Sequence, residues 1–254
     1  MSAPSNDFTS HLQQACSRCS LRDLCLPMGL HQNDMVRLEQ VIEKPRTIKK
    51  GQVLFESGGT FRSLFAVRSG AFKTFTINNE GEERILGFHL PGELLGLDAI
   101  WPQRHQCTAE ALDTASVCRM PFDRLSEIAA QFPSLQQQLY RLLSRELGHH
   151  RELPETATAE QRVAWFLLNL GDRLSSRGYS GTHFVLSMSR RDIANYLSIT
   201  PETISRVLTR FQDQQLLRVE RRDIELIGQS RLRSLCASSS EFDQATAEGQ
   251  TQAG

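Results

Sequence analysis

The chain has no net charge: 29 Lys and Arg balance 29 Asp and Glu over 254 residues. That balance excludes a globally basic nucleic-acid binder and leaves room only for a local basic face. No stretch approaches the ~20 consecutive apolar residues of a membrane span. The first thirty residues offer no apolar run before a small-residue cleavage site, so no secretory signal and no membrane partner are expected, and the protein is expected to be cytoplasmic. No internal repeat is present, which argues against a repeat array. Cysteine is sparse too, at six residues, yet three of them fall within "CSRCSLRDLC", residues 16–25. In a reducing compartment, thiols crowded in this way point to a metal or redox centre rather than to disulfides.

Composition divides the chain into zones. Residues 1–30 hold the cysteines and a helix-like stretch beginning "NDFTSHL". Residues 31–122 contain short apolar or alternating runs, "VLFES", "SLFAVRSG", "AFKTFTI" and "RILGFHL", separated by turn residues. Eight of the sixteen glycines lie between Gly51 and Gly96, and many short strands with glycine turns predict a sandwich or barrel. Asn78 to Gly81 reads as a hairpin tip.

After Pro121 the apolar period becomes helical. Leu135, Leu139, Leu142, Leu143 and Leu147 form a stripe, either a face packed on its own domain or a seam offered to a second copy. "GHHRELPETAT", Gly148 to Thr158, reads as a break and linker. Thr158 with Gln161 is a capping box for the next helix. Residues 229–254 are expected to be a disordered tail, with apolar content gone beyond about Cys236.

The segment from Ser187 to Arg222 carries two helix signals in succession. Ser189 with Asp192 three residues on caps the first, whose apolar face is Ile193, Ala194 and Leu197. After a tight turn at Ser198 and Ile199, Thr200 caps the second and Pro201 suits its first position. Ile204, Val207, Leu208 and Phe211 are its buried side. Two short helices joined in this way make a helix-turn-helix, which reads the DNA major groove with the start of its second helix. Glu202, Ser205 and Arg206 project from one exposed side, with Thr209 and Arg210 following. Arginine suits guanine, glutamate accepts from cytosine, and serine is adaptable. Seven arginines against two aspartates and two glutamates give this stretch a net charge of +3, which favours phosphate contact. "LLRVE" and "DIELI" around Arg221 and Arg222 read as a two-stranded wing. Two ordinary core helices with solvated faces are the simpler alternative, but they leave cap, proline, polar triad and wing uncombined.

Cys16, Cys19 and Cys25 are spaced C-x2-C-x5-C. Three thiolates complete neither a tetrahedral zinc site nor an iron–sulfur cluster, so a fourth ligand must come from elsewhere. Cys107, Cys118, Cys236 or a histidine such as His11 are available, and spacing alone does not choose between zinc and iron–sulfur. A barrel enzyme of the metal-oxygenase type would need more histidines and carboxylates than His89, His105 and the distant His183 provide. No enzyme is expected.

The cysteine run, the strand-rich zone, "AVRSGAFKTFTI", "GFHLPGELLGLDAI", "ASVCRMPFDRL" and "ITPETISRVLTRF" together resemble the oxygen-responsive FNR/ANR regulators of the cAMP-receptor superfamily, from about Cys16 to about Ile227. The resemblance implies an α+β fold: an N-terminal cysteine-rich segment (1–30), a double-stranded β-helix (jelly-roll) sensor domain (31–122), a dimerisation helix region (123–153) and a C-terminal winged helix-turn-helix (154–228). It implies Cys118, in a "VCRMPF" context, as fourth ligand with Cys16, Cys19 and Cys25 to a [4Fe–4S] cluster, leaving Cys107 and Cys236 as bystanders. It further implies a homodimer held together when the cluster is bound, and an inverted TTGAT-type repeat in double-stranded DNA read by Glu202, Ser205 and Arg206. RNA polymerase is the implied partner, through barrel loops such as Asn78 to Gly81.

A cyclic nucleotide is not expected. Gly96-Leu97 and Cys107-Thr108 stand where the superfamily's nucleotide binders carry Gly-Glu and Arg-Ser, and a phosphate buried without a cation is costly. Zinc at the cysteines, with another effector in the barrel, is the alternative. The chain departs from the pattern in a shortened stretch between Glu146 and Arg162 containing Pro154, and in Arg221-Arg222 at the wing tip, where relatives often carry glycine.

Overall fold

A computed structural model describes Cys16, residues 19–21, Cys25, Leu26, and residues 32–149 and 156–236. The "NDFTSHL" stretch, Pro154 and everything beyond Cys236 lie outside the described residues. In chain order, helix α1 (Gln32–Val41) is followed by β1 (Arg46–Ile48), β2 (Val53–Phe55), β3 (Ser63–Ser69), β4 (Phe72–Ile77), β5 (Glu83–His89), β6 (Leu94–Leu95), β7 (Thr108–Ala111) and β8 (Ala115–Pro121). Helices α2 (Phe122–Gln131), α3 (Pro133–His149) and α4 (Ala159–Ser175) come next. The chain closes with β9 (His183–Val185), α5 (Arg190–Leu197), α6 (Pro201–Asp213), β10 (Leu217–Glu220) and β11 (Asp223–Leu226). Two compact units result: the chain to Phe72 with His89–Arg145, and Lys73–Phe88 with the chain from Glu146. Among the described residues no helix is long and apolar enough to cross a membrane.

The eight N-terminal strands belong to two four-stranded sheets of a jelly roll, one in the order β1-β8-β3-β6 and the other comprising β2, β7, β4 and β5. Alternation along the first sheet sends Ile48, Val67, Leu95 and Val117 into one core with Phe72. Gly70, with φ 74°, makes the turn between β3 and β4. A Cβ there would lie 2.7 Å from Ala115 Cα, so only glycine fits.

A second core of the same unit gathers Leu26, Leu38, Leu64, Met120, Leu125, Leu135 and Leu142, with Cys25, Cys118 and Leu139 packed against it. The leucine stripe of α3 therefore divides. Leu135 and Leu142 are buried in their own unit, whereas Leu139 and Leu143 are half-buried and Tyr140 is 60% exposed. Gln138 is buried on the same face as Leu135 and Leu142, and its amide has no hydrogen-bond partner among the described residues. Such a group costs about 1–3 kcal/mol. The break expected from Gly148 does not start there, because α3 runs through Gly148 to His149.

In the other unit, Asn78 Oδ1 accepts from the backbone N–H of Glu80 (3.0 Å) and Glu82 (2.9 Å), which closes the β4–β5 hairpin as its sequence predicts. That hairpin meets the first reading helix directly. Asn195 of α5 accepts from the Ile85 N–H (2.7 Å) and donates to the Glu83 carbonyl (2.6 Å), satisfying two backbone groups as a neighbouring strand would. Rings of Phe88, Phe166 and Tyr196 pack edge to face beside it. The Thr158–Gln161 capping box starts α4 as expected. Residues 229–236 are helical and Leu232 is fully buried. The tail expected from residue 229 is thus corrected: over 229–236 an apolar side chain ties the segment to the fold.

Candidate functional site

Every local signal of the helix-turn-helix is realised. Ser189 and Asp192 exchange capping hydrogen bonds, the Asp192 N–H to Ser189 Oγ at 3.1 Å and the Ser189 N–H to Asp192 Oδ2 at 2.9 Å. Ser198 ends α5 at φ 55°, a left-handed cap, and Thr200 accepts from the Thr203 N–H at 3.2 Å to start α6. Ile204, Val207, Leu208 and Phe211 are buried, so the opposite face of α6 turns outward. Glu202 and Arg206 are exposed there, and among the described residues neither side chain makes an ion pair or hydrogen bond. Ser205 is half-buried; its hydroxyl donates to the Pro201 carbonyl (3.0 Å) and accepts from Arg190 Nη1 (3.3 Å).

Arg190, at the first turn of α5, is thereby brought to the reading face by tertiary packing alone, with no local signal in the sequence. Thr209 and Arg210 are otherwise occupied: Thr209 Oγ1 donates to the Ser205 carbonyl, and Arg210 pairs with Glu160. The wing forms from β10 and β11, paired from Leu217–Leu226 to Glu220–Asp223, with β9 as third strand. Arg221 turns it at φ 58°, the region glycine prefers. Arg222 donates through Nε to the Leu186 carbonyl at 2.7 Å, so its guanidinium braces the wing from within.

The cysteines come together across long stretches of chain. Cys16, Cys19 and Cys25 line one pocket with Cys118, which β8 supplies opposite Ala66 of β3. Much of the remaining lining is apolar, including Leu21, Leu26, Ile42 and Met120. Burial pushes the Cys16 thiol up to about 12, and the neighbouring Cys25 and Cys118 sulfurs add to the shift. Burial also raises Cys118, against the field of Arg68. Among the described residues no three His, Cys, Asp or Glu side chains converge closely enough to hold one metal ion. Four thiols lining one largely apolar hollow are a donor set that fits an iron–sulfur core.

A family model for Crp-like helix-turn-helix domains matches residues 161–235, and one for cyclic nucleotide-binding domains matches residues 45–132. The transcriptional activator protein Anr of Pseudomonas protegens is 45% identical over 235 residues, 91% of this chain and 96% of that protein. The fumarate and nitrate reduction regulatory protein of Vibrio cholerae is 43% identical, covering 89% of this chain and 92% of its own. This chain belongs to the Anr/FNR family of transcription regulators. A solved structure, FixK2 from Bradyrhizobium japonicum, matches this Anr/FNR-type chain at 31% identity and a TM-score of 0.69, covering 76% of it and 96% of that chain. Family membership makes the protein a regulator rather than an enzyme.

In this Anr/FNR-type barrel, Cys107 lies beside a carboxylate. Cys107 is buried, and its Sγ donates to Asp98 Oδ2 at 3.5 Å, while the Gln106 N–H donates to the same oxygen at 2.7 Å. Burial raises this thiol to about 12, with Asp98 adding to it. His105 next to it is 4% exposed, stacks on Phe55 at a centroid distance of 3.8 Å, and leaves Nδ1 without a partner among the described residues. Burial lowers its pKa against the pull of Asp98. His105 is therefore a core residue with an unsatisfied ring nitrogen among the described residues. His183 is exposed and paired with Asp223 at 2.7 Å. Cys236 is half-buried, with a thiol raised by burial.

Proposed function

We propose that this Anr/FNR-family chain is an oxygen-responsive, cytoplasmic DNA-binding regulator in which Cys16, Cys19, Cys25 and Cys118 hold a [4Fe–4S] cluster. The observation that carries the reading is the single apolar pocket shared by three N-terminal thiols and one thiol of β8. When bound, the cluster supplies iron–sulfur bonds that oxygen destroys. The chain's own part is to bring four thiolates to one place and to transmit whether they are gripped. Cys25 and Leu26 pack in the same core as Leu135, Leu139 and Leu142 of α3, so the grip on the N-terminal segment and the packing of α3 are one problem. Leu143 and Tyr140 remain for a second copy. A dimer engages both halves of an inverted TTGAT-type repeat, one helical turn apart, and gains the affinity of joint binding.

On each half-site Glu202, Ser205 and Arg206 read base edges, with Ser205 steadied by Arg190. Arg221 at the wing tip adds a phosphate contact. Asp98 beside Cys107 disfavours a cyclic nucleotide, because a carboxylate repels the phosphate. Family membership supports RNA polymerase as a partner.

The test is anaerobic purification with iron and sulfide assays, visible absorption, sedimentation and operator footprinting, repeated after exposure to air. The expected result is a coloured dimer that footprints the repeat without air and a colourless monomer that does so poorly after it. A colourless protein whose oligomeric state and footprint ignore air overturns the reading.

A further inference from the structure

The pairing of β3 with β8 matches Ala66 to Cys118 and Val67 to Val117, then slips so that Ser69 faces Ser116. Arg68 is the residue at the irregularity. Ala66 and Arg68, two residues apart on β3, share a face by ordinary strand alternation, and both line the cysteine pocket with Cys118.

Arg68 is the one charged side chain among the described residues that line the pocket. It is half-buried, and among the described residues its guanidinium makes no ion pair or side-chain hydrogen bond. Arginines elsewhere in the chain, such as Arg119, Arg210, Arg218 and Arg233, sit on carboxylates. Four thiolates outweigh the positive charge of an iron–sulfur core, so the bound unit is a net anion among Leu21, Leu26, Ile42 and Met120. An anion in such surroundings is costly unless a cation faces it.

We infer that Arg68 is a positioning residue for the cluster, its guanidinium carried on the face of β3 that Ala66 turns to the cysteine pocket and offsetting the negative charge of the thiolate-bound core. This rests on the cluster reading above. The field that Arg68 exerts on Cys118 is consistent with its placement.

The experiment compares full-length wild type with Arg68→Met and Arg68→Lys, all prepared without air. Iron and sulfide per chain, the rate of iron release to a chelator and the cluster midpoint potential are measured. In Arg68→Met the release rate rises about tenfold and the midpoint potential falls, because the more negative, reduced state loses its nearby cation. Arg68→Lys stays close to wild type in both. If Arg68→Met folds poorly by circular dichroism, Arg68→Gln carries the same comparison. Neutral variants that match wild type in release rate and potential overturn the inference, as does a lysine variant that behaves like the methionine one. A wild-type chain that takes up no iron and sulfide overturns the cluster reading itself, and that failure is seen without any variant.

Discussion

The winged helix-turn-helix and the cysteine pocket are built on opposite plans. In the first, each element is specified by neighbours in sequence: Ser189 with Asp192, Thr200 with Thr203, and buried residues three and four apart along α6. The second is assembled from an N-terminal segment and a distant strand, and nothing near Cys118 in sequence announces what it faces. A locally encoded reader tolerates change elsewhere in the chain. A pocket assembled from afar depends on the core behind it.

Four substitutions or conditions break or sharpen this contrast. The largest effect is expected from Cys118→Ser, which removes bound iron and sulfide almost entirely, while Cys107→Ser keeps them. Retention by the Cys118 variant, or loss by the Cys107 variant, would show the fourth ligand to be misassigned. Next, Leu135→Ala empties a site at the centre of the core that Cys25 and Leu26 share, and lowers unfolding free energy by about 2–5 kcal/mol in denaturant titration. If the two regions are as separate in their encoding as they look, thermal melting of residues 156–236 changes far less.

Arg206→Ala is expected to weaken operator binding by about 1–3 kcal/mol and to relax preference at one base position, with iron content unchanged. Fluorescence anisotropy against single-base variants of the repeat checks it, and equal loss on every sequence would make Arg206 a phosphate contact. The smallest effect belongs to His105. Burial holds its pKa below the ordinary 6.5, so the unfolded chain binds a proton there that the folded one does not. Its contribution to stability is complete above pH 6.5, declines as pH falls below that value, and is gone once the folded pKa is passed. Melting temperatures between pH 5 and 8 should slope less in His105→Phe than in wild type.

How far each region could be read in advance follows from the same contrast. Caps, the proline at the start of α6, the polar triad and the wing were all legible, since each is a pattern over a few residues. The strand-rich zone and its hairpin at Asn78 were legible for the same reason. Cys118 was reached through resemblance and not through spacing, because any of several thiols satisfied the arithmetic. The α3 stripe was legible as apolar but not as divided, since periodicity marks a face without saying what covers it. Arg68, Arg190 and the orphaned nitrogen of His105 left no trace in the sequence: the pairing of β3 with β8, a contact between helices and the loss of a hydrogen-bond partner are each relations between distant residues.

The order of amino acids alone therefore determined the elements, their caps and the reading face of α6, because short-range hydrogen bonds and side-chain spacing act within a few residues. Which thiols share a hollow, which leucines of α3 stay free and which arginine faces the sulfurs were decided only when strands paired and cores closed. Those outcomes depend on register and burial, which no single segment carries within itself.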